Sequence, residues 1–356
     1  MDLKQFWKRS AKTQTTNRLY QPRIKVIGIG NAGCSVISQM YPNKALEVEY
    51  YAINTDLRQL SNTDADYHIP LGSIYGGGLG CGALPALARQ YAEEDRYEIK
   101  KAVEGADLVI LTGGLGGGTG TGAGPVVAGV ARESGASTIA IFTMPFSFES
   151  FARRRNADEG IGKLENSVDC LITIPSDHVL EQIHPRVETT WEEALSLSYS
   201  TLQEGVQTLI EFSMPRPDNS IDFSEMMTLL TDPKPMSLAI GSGKGINKAI
   251  EAAEAAAYGP LARDGLNPII LMMVAGDSTL KTEEVNKAVD HLARYFHTWG
   301  KINLLRTWDP TLQDEMKITM FVRPQGIQMT VCDMSWEPAR LDPEPQDFFN
   351  SKSHAL

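Results

Sequence analysis

The stretch LTGGLGGGTGTGAGP, from Leu111 to Pro125, constrains this chain more than any other. Eight of its fifteen residues are glycine, and it follows the apolar run Leu108-Val109-Ile110-Leu111. Glycine in an ordered chain costs about 0.5–1 kcal/mol relative to alanine, so a loop this rich in it at the end of a buried strand needs a purpose. Gly116, Gly117, Gly118, Thr119, Gly120, Thr121 and Gly122 can present successive backbone N–H groups as an anion nest. The two threonine hydroxyls add donors, and the following helix adds its positive N-terminal end. The lysine-bearing pattern GxxxxGK[ST] is absent, so a polyphosphate held here would be held mostly by backbone.

Two more glycine-rich loops occupy equivalent places. GIGNAG (Gly28, Gly30, Gly33) follows the strand-like RIKVIGI, and GGGLGCGALP spans 76–85. EVEYYAINTD, ADLVILTGG, STIAIFTMPF and DCLITIPSD read as further strands. Between them lie helical segments, among them PALARQYAEEDRYEIKKAVEG as one amphipathic helix and FARRRNADEGIGKLENSV. Alternation of this kind predicts an α/β fold, a Rossmann-like parallel sheet with helices on both faces, whose ligands sit at the C-terminal ends of the strands. A long helix is expected over 187–213, and MPRPDNS ends it with two prolines. MSLAIGSGKG, NPIILMMVAGD, INLLRTWD and MKITMFVRP then read as strands of a smaller α/β domain with two helices between them.

A net charge of −11 argues against a general nucleic-acid binder, since neutralising phosphates takes concentrated Lys and Arg. Cys34, Cys81, Cys170 and Cys332 form no CxxC pair and fit reduced thiols of a cytoplasmic protein. No signal peptide or membrane span is read. Leu3, Phe6 and Trp7 beside Lys4, Lys8 and Arg9 allow at most weak contact with an anionic membrane surface. The six histidines are scattered, and no protein-built metal site is expected.

GGGTGTG followed by a helix resembles the signature of the tubulin/FtsZ family, and the match is nearer to FtsZ. KVIGIG, AINTD, GLGCG, AEEDR, TMPFSFE, LITIPSD, VDHLARYF and the NLL–TWDP–DEMKIT segment extend the resemblance over roughly 23–335. It implies a GTP-binding domain at 23–186, a central helix at 187–213 and a C-terminal domain at 214–335, between tails at 1–22 and 336–356. It also implies GTP or GDP with magnesium bridging the phosphates, and head-to-tail self-assembly in which one subunit's acidic loop completes the next subunit's site. FtsZ or other division proteins are implied as possible partners.

Residue by residue, the resemblance places Gly28, Gly30, Asn31, Ala32, Gly82, Ala83 and Gly116 to Thr121 against the phosphates. Asn54 and Asp56 match the Asn-Thr-Asp after the second strand, while Thr143, Pro145, Glu149 and Arg153 match the ribose region. The base side departs from the family: Ser176 stands for an Asn, and Ser200 for the Asp that reads guanine. The acidic loop, near 218–225, retains Asp222 and Glu225 as catalytic carboxylates within SIDFSE. An alternative is a nucleotide-binding filament scaffold with weak or no hydrolysis or altered base specificity. A remoter one is an NAD-binding Rossmann oxidoreductase, with Glu47 or Glu49 accepting from a ribose.

Overall fold

The computed structural model describes residues 21–73, 76–183, 189–215, 221–232, 234–257, 268–298 and 302–323. The expectations for the N-terminal tail up to residue 20, for the start of the acidic loop at 218–220, for Cys332 and for the C-terminal tail lie outside these residues.

Ten strands form one sheet in the order β3-β2-β1-β4-β5-β6-β7-β10-β8-β9. They are β1 Ile24–Ile29, β2 Val48–Asn54, β3 Tyr67–Pro70, β4 Leu108–Gly114, β5 Ser137–Met144, β6 Cys170–Pro175, β7 Met236–Lys244, β8 Ile269–Gly276, β9 Ile302–Trp308 and β10 Glu315–Arg323. The first six run parallel, in register from Ile24↔Leu108 to Leu108↔Ser137 across the centre. β1 is buried at every residue, as expected of a strand covered on both faces, and its IKVIGI accordingly shows no polar alternation. Beyond β6 the sheet continues through two residue pairs, Ile172↔Met236 and Thr173↔Ser237. β10 then inserts antiparallel between β7 and β8, so the sheet is mixed.

The helices are α1 Gly30–Met40, α2 Leu57–Ser61, α3 Pro85–Glu94, α4 Arg96–Val103, α5 Thr119–Glu133, α6 Phe151–Glu165, α7 Ser176–Ile183, α8 Trp191–Ser213, α9 Phe223–Leu230, α10 Lys248–Ala257 and α11 Thr282–Tyr295. Helices α3 to α6 cover one face of the parallel half, over Ile27, Leu111 and Phe142. α1 and α8 cover the other, over Val26, Ile110 and Ile141. α8 also reaches the second half, where Leu271, Leu305 and Phe321 join the same apolar cluster.

Leu202, Val206, Leu209, Ile210 and Phe212 of α8 are buried, each contributing roughly 1.5–3 kcal/mol. Gly205 sits where α8 crosses the sheet: a Cβ there would lie 2.4 Å from Ile141 Cδ1 and 2.8 Å from Leu238 Cδ2. A larger residue at 205 would push the helix off β5 and β7. Glu204 fixes the crossing on its polar side, accepting from Lys317 Nζ at 2.6 Å and Thr319 Oγ1 at 3.1 Å. Thr190 caps α8 and Glu193 returns the bond to its N–H, so the helix starts at Trp191 rather than 187.

One local reading needs correction, and one strand goes unread in the sequence. The single helix expected from Pro85 onward is two, broken at Asp95, whose carboxylate accepts the Gly72 N–H at 2.7 Å. β3 carries no strand signal, being four residues long, ending in proline and exposing Tyr67 and His68 at the sheet edge.

Candidate functional site

The three glycine loops converge at the C-terminal ends of β1 and β4. Gly116 adopts a φ of +92°, closed to ordinary L-residues, and its N–H donates to Thr121 Oγ1 at 2.9 Å. That bond folds the loop back on the first turn of α5. A Cβ on Gly118 would lie 2.3 Å from Cys81 Sγ and 3.0 Å from Leu84 N, so this loop and the 80–84 loop touch backbone to side chain. A Cβ on Gly30 would reach Thr119 Cβ at 3.2 Å, which brings the third loop to the same point. Gly117 faces nothing within 4 Å of an added Cβ: the one gap in this packed loop opens outward.

α2, α6, α8 and α9 are capped by the side chains of Asp56, Ser150, Thr190 and Asp222. α1, α3 and α5, the helices that begin at the glycine loops, have no side-chain cap. The first N–H groups of an α-helix need acceptors, and three uncapped N-termini around one gap form a cradle suited to phosphate oxygens. Ala83, with φ +59°, holds a left-handed conformation in it, a strain of about 1–3 kcal/mol that functional loops tolerate.

The surrounding side chains order the cradle. Thr55 and Thr119 hydroxyls meet at 2.8 Å, and Cys81 Sγ lies 3.5 Å from Thr119 Oγ1. Asn54 Nδ2 donates to Asn31 Oδ1 at 2.9 Å, and the Asp56 carboxylate accepts from the Arg58 and Gln59 N–H groups. Asn54 and Asp56 thus shape the turn after β2. Ala32 and Gly114 stand side by side: a Cβ on Gly114 would lie 3.2 Å from that of Ala32. Gly28 backs the loop so closely that a Cβ there would meet Gly33 O at 2.4 Å.

Asn156 carries no sequence signal, standing in a run of charged residues. Its Nδ2 lies 3.4 Å from the carbonyls of both Ala83 and Gly116 and links two of the loops. On the β5 side, Thr143 O accepts the Leu115 N–H at 2.9 Å, and Pro145 packs where a Gly116 Cβ would fall. Glu149 accepts from the Phe146 N–H at 3.0 Å and from Arg153 Nη1 at 2.9 Å. Ser176 is buried and donates to Met144 O at 2.5 Å, while Ser200 is exposed and donates to Leu197 O in its own helix at 2.9 Å.

Asp222 and Glu225 are far from this cluster. Trp191, at the start of α8, packs against Phe146 and Phe148 beside the cradle. At the other end Ser213 Oγ meets Met226 Sδ of α9 at 3.6 Å. The 23 residues of α8 span about 34 Å at 1.5 Å per residue. Just past α9, the Asp232 N–H donates to Asp169 O at the N-terminal edge of β6. Both carboxylates are exposed, and Asp222 Oδ1 accepts the Glu225 N–H at 2.8 Å.

Glu49 does not serve a cofactor ribose. It sits at the start of β2, binding Lys25 Nζ at 3.3 Å and the Tyr51 hydroxyl at 2.8 Å, at the edge of the sheet opposite the cradle. Among the described residues no group of three or more His, Cys, Asp or Glu is placed to hold a metal, and no helix is long and apolar enough to cross a membrane.

Glycine loops, uncapped helix N-termini and a mostly parallel sheet define a protein with an α/β nucleotide-type phosphate cradle. The family model for the Tubulin/FtsZ family, GTPase domain, matches residues 23–184. A tryptophan-to-tyrosine mutant of FtsZ from M. jannaschii is 30% identical, with 92% of this chain and 94% of that one covered and a TM-score of 0.79. An empty FtsZ dimer from the same organism is 27% identical over 93% and 98% of the two chains, with a TM-score of 0.78. A GTPγS-bound protofilament of CetZ2 from Haloferax volcanii shares the fold at 18% identity, 87% and 96% coverage and a TM-score of 0.70. The chain belongs to the tubulin/FtsZ family.

Proposed function

We propose that this chain is a divergent FtsZ-like cytoskeletal GTPase that binds its nucleotide between subunits of a head-to-tail filament. One observation carries the reading: the phosphate cradle and the carboxylates of Asp222 and Glu225 lie at opposite edges of the subunit, a central helix apart. No single subunit brings them together. A second copy stacked in the same orientation sets the acidic edge of one on the cradle of the other, a heterologous contact that propagates. The cradle rim suits such a contact, since Leu79, Leu84, Phe148 and Phe151 expose apolar surface there.

In this arrangement the backbone N–H groups of Gly116 to Thr121 hold and orient the phosphates. Asp222 and Glu225 of the neighbouring copy orient the attacking water, and positioning supplies most of the catalysis. Magnesium, when bound, would neutralise charge on the phosphates; the groups around the cradle are hydroxyls, amides and the Asp56 carboxylate, which already caps α2, and this fits an ion held mainly by phosphate oxygens and water rather than by a protein cage.

A second reading, a scaffold with slow hydrolysis, is favoured by the contact between Asp222 and the Glu225 N–H. That bond occupies one carboxylate oxygen in capping α9. Phosphate release measured against protein concentration tests the shared site. Specific activity should rise cooperatively with concentration; a constant value would rule out a site built from two subunits.

A further inference from the structure

A cradle built from backbone depends on which way its peptides point. Gly116 and Gly117 are joined by a trans peptide, in which the carbonyl of the first and the N–H of the second face opposite ways. With no Cβ on either side, such a unit turns over more freely than one flanked by larger residues. The Gly116 N–H is tied to Thr121 Oγ1 at 2.9 Å, but that bond leaves the next peptide free to rotate. A group outside the loop has to choose between carbonyl outward and N–H outward.

Helix α6 supplies that group. Its residues 153, 156 and 160 share one face and meet the loop in turn. A Cβ on Gly116 would fall 2.9 Å from Arg153 O, and one on Gly160 would fall 2.8 Å from Thr121 Cγ2. Between these close approaches stands Asn156. Its Nδ2 lies 3.4 Å from Gly116 O and 3.4 Å from Ala83 O, with one amide hydrogen for each. Both acceptors belong to left-handed residues, Gly116 at φ +92° and Ala83 at φ +59°. Among the described residues no other donor reaches Gly116 O. The carbonyl is drawn in toward α6, and the Gly117 N–H is turned away from it. Among the described residues that N–H has no acceptor, and a Cβ on Gly117 would meet nothing within 4 Å.

We propose that Asn156 is a positioning residue for the phosphates: it holds the Gly116–Gly117 peptide with its N–H toward the anion. This rests on the nucleotide-binding reading above and names one phosphate contact within it. The opposite orientation would aim a carbonyl, with its partial negative charge, at the phosphate. Only chains with the N–H outward are competent, so apparent affinity scales with their fraction. Asn156 acts from behind the loop, through the peptide it orients.

Asn156→Ala tests this. The residue is half-buried and inside α6, where alanine is well tolerated. Titration calorimetry on the full chain compares inorganic triphosphate with GTP. Both affinities should fall by the same factor, roughly 3- to 10-fold, about the worth of one net hydrogen bond, with little change in Tm. Amide NMR of the ligand-free, glycine-labelled chain reads the peptide itself, its Gly117 peak assigned through Gly117→Ala. That peak should be single in the parent, split or broadened in Asn156→Ala, and single again at saturating triphosphate. Peaks of Gly160 and Gly162, in α6, should not move.

If the parent binds triphosphate and Asn156→Ala binds it equally well, the role of Asn156 falls and the cradle stands. Broadening shared by Gly160 and Gly162 also overturns the proposal, since α6 as a whole would then have loosened. So does a loss for GTP alone, which would put the effect at the nucleoside end. If the parent chain binds no triphosphate, the cradle reading itself fails and takes the proposal with it.

Discussion

Thr55 and Thr119 meet hydroxyl to hydroxyl at 2.8 Å, tying the end of β2 to the first turn of α5. Thr55 is buried, so its hydroxyl depends on this partner. Thr119→Val keeps the shape and removes the bond. It should destabilise the fold by about 1–3 kcal/mol, the range for leaving a buried polar group unpaired. Urea unfolding measures this, and a double variant with Thr55→Val should recover part of the loss.

Adjacent glycines should respond in opposite ways. Gly118→Ala forces a methyl against Cys81 Sγ and should cost about 1–3 kcal/mol of stability through overpacking. Gly117→Ala meets nothing in the protein and needs no positive φ, so stability should hold or rise by about 0.4–1 kcal/mol. Its methyl enters the space assigned to phosphate, and nucleotide affinity should fall more than about tenfold, or 1.4 kcal/mol. Thermal melts and equilibrium binding on the two variants separate the effects; normal nucleotide binding by Gly117→Ala would move the phosphates elsewhere.

The acidic edge is testable without disturbing the fold. Asp222→Ala removes the α9 cap and should cost about 0.5–2 kcal/mol. Asp222→Asn retains a capping oxygen and removes only the charge, so it should fold normally and release no phosphate. Mixed in equal amounts with Gly117→Ala, it should regain activity at the interfaces where an intact edge meets an intact cradle, about a quarter of them in a heterologous polymer. No recovery on mixing would place both halves of the site in one subunit.

Stability should fall at acid pH through Asp66. Burial acts to raise its pKa, but bonds from Lys44, the Tyr50 N–H and the Tyr41 hydroxyl outweigh this and hold it below the usual range. A carboxyl lowered on folding stabilises the native state above the unfolded value, about 3.9. That stabilisation is lost as pH falls through the folded value. Tm followed from neutral pH down to about pH 2 should drop more steeply in the parent than in Asp66→Asn. Parallel curves would remove Asp66 from the acid limb.

Much of the architecture is legible in the chain because local physics sets it. Continuous apolar runs such as IKVIGI have to be doubly covered strands, and most glycines of 113–122 serve close backbone approach or, at Gly116, a positive φ. The short edge strand Tyr67–Pro70 has no apolar run to announce it. The break at Asp95 follows from a bond to Gly72, 23 residues away, which no helical periodicity records.

The residue types of the proposed site are legible in the sequence: glycines and threonines for phosphate, serines where the family resemblance expects groups that read a base, two carboxylates in SIDFSE. Tertiary structure decided their relations. It set Asn156 between two loops, carried Glu49 to the far edge and spaced Asp222 from the cradle by the length of α8. The reason is physical: residue type determines what a side chain can bond, but which face of a helix or edge of a sheet it occupies is settled by packing between elements distant in the chain.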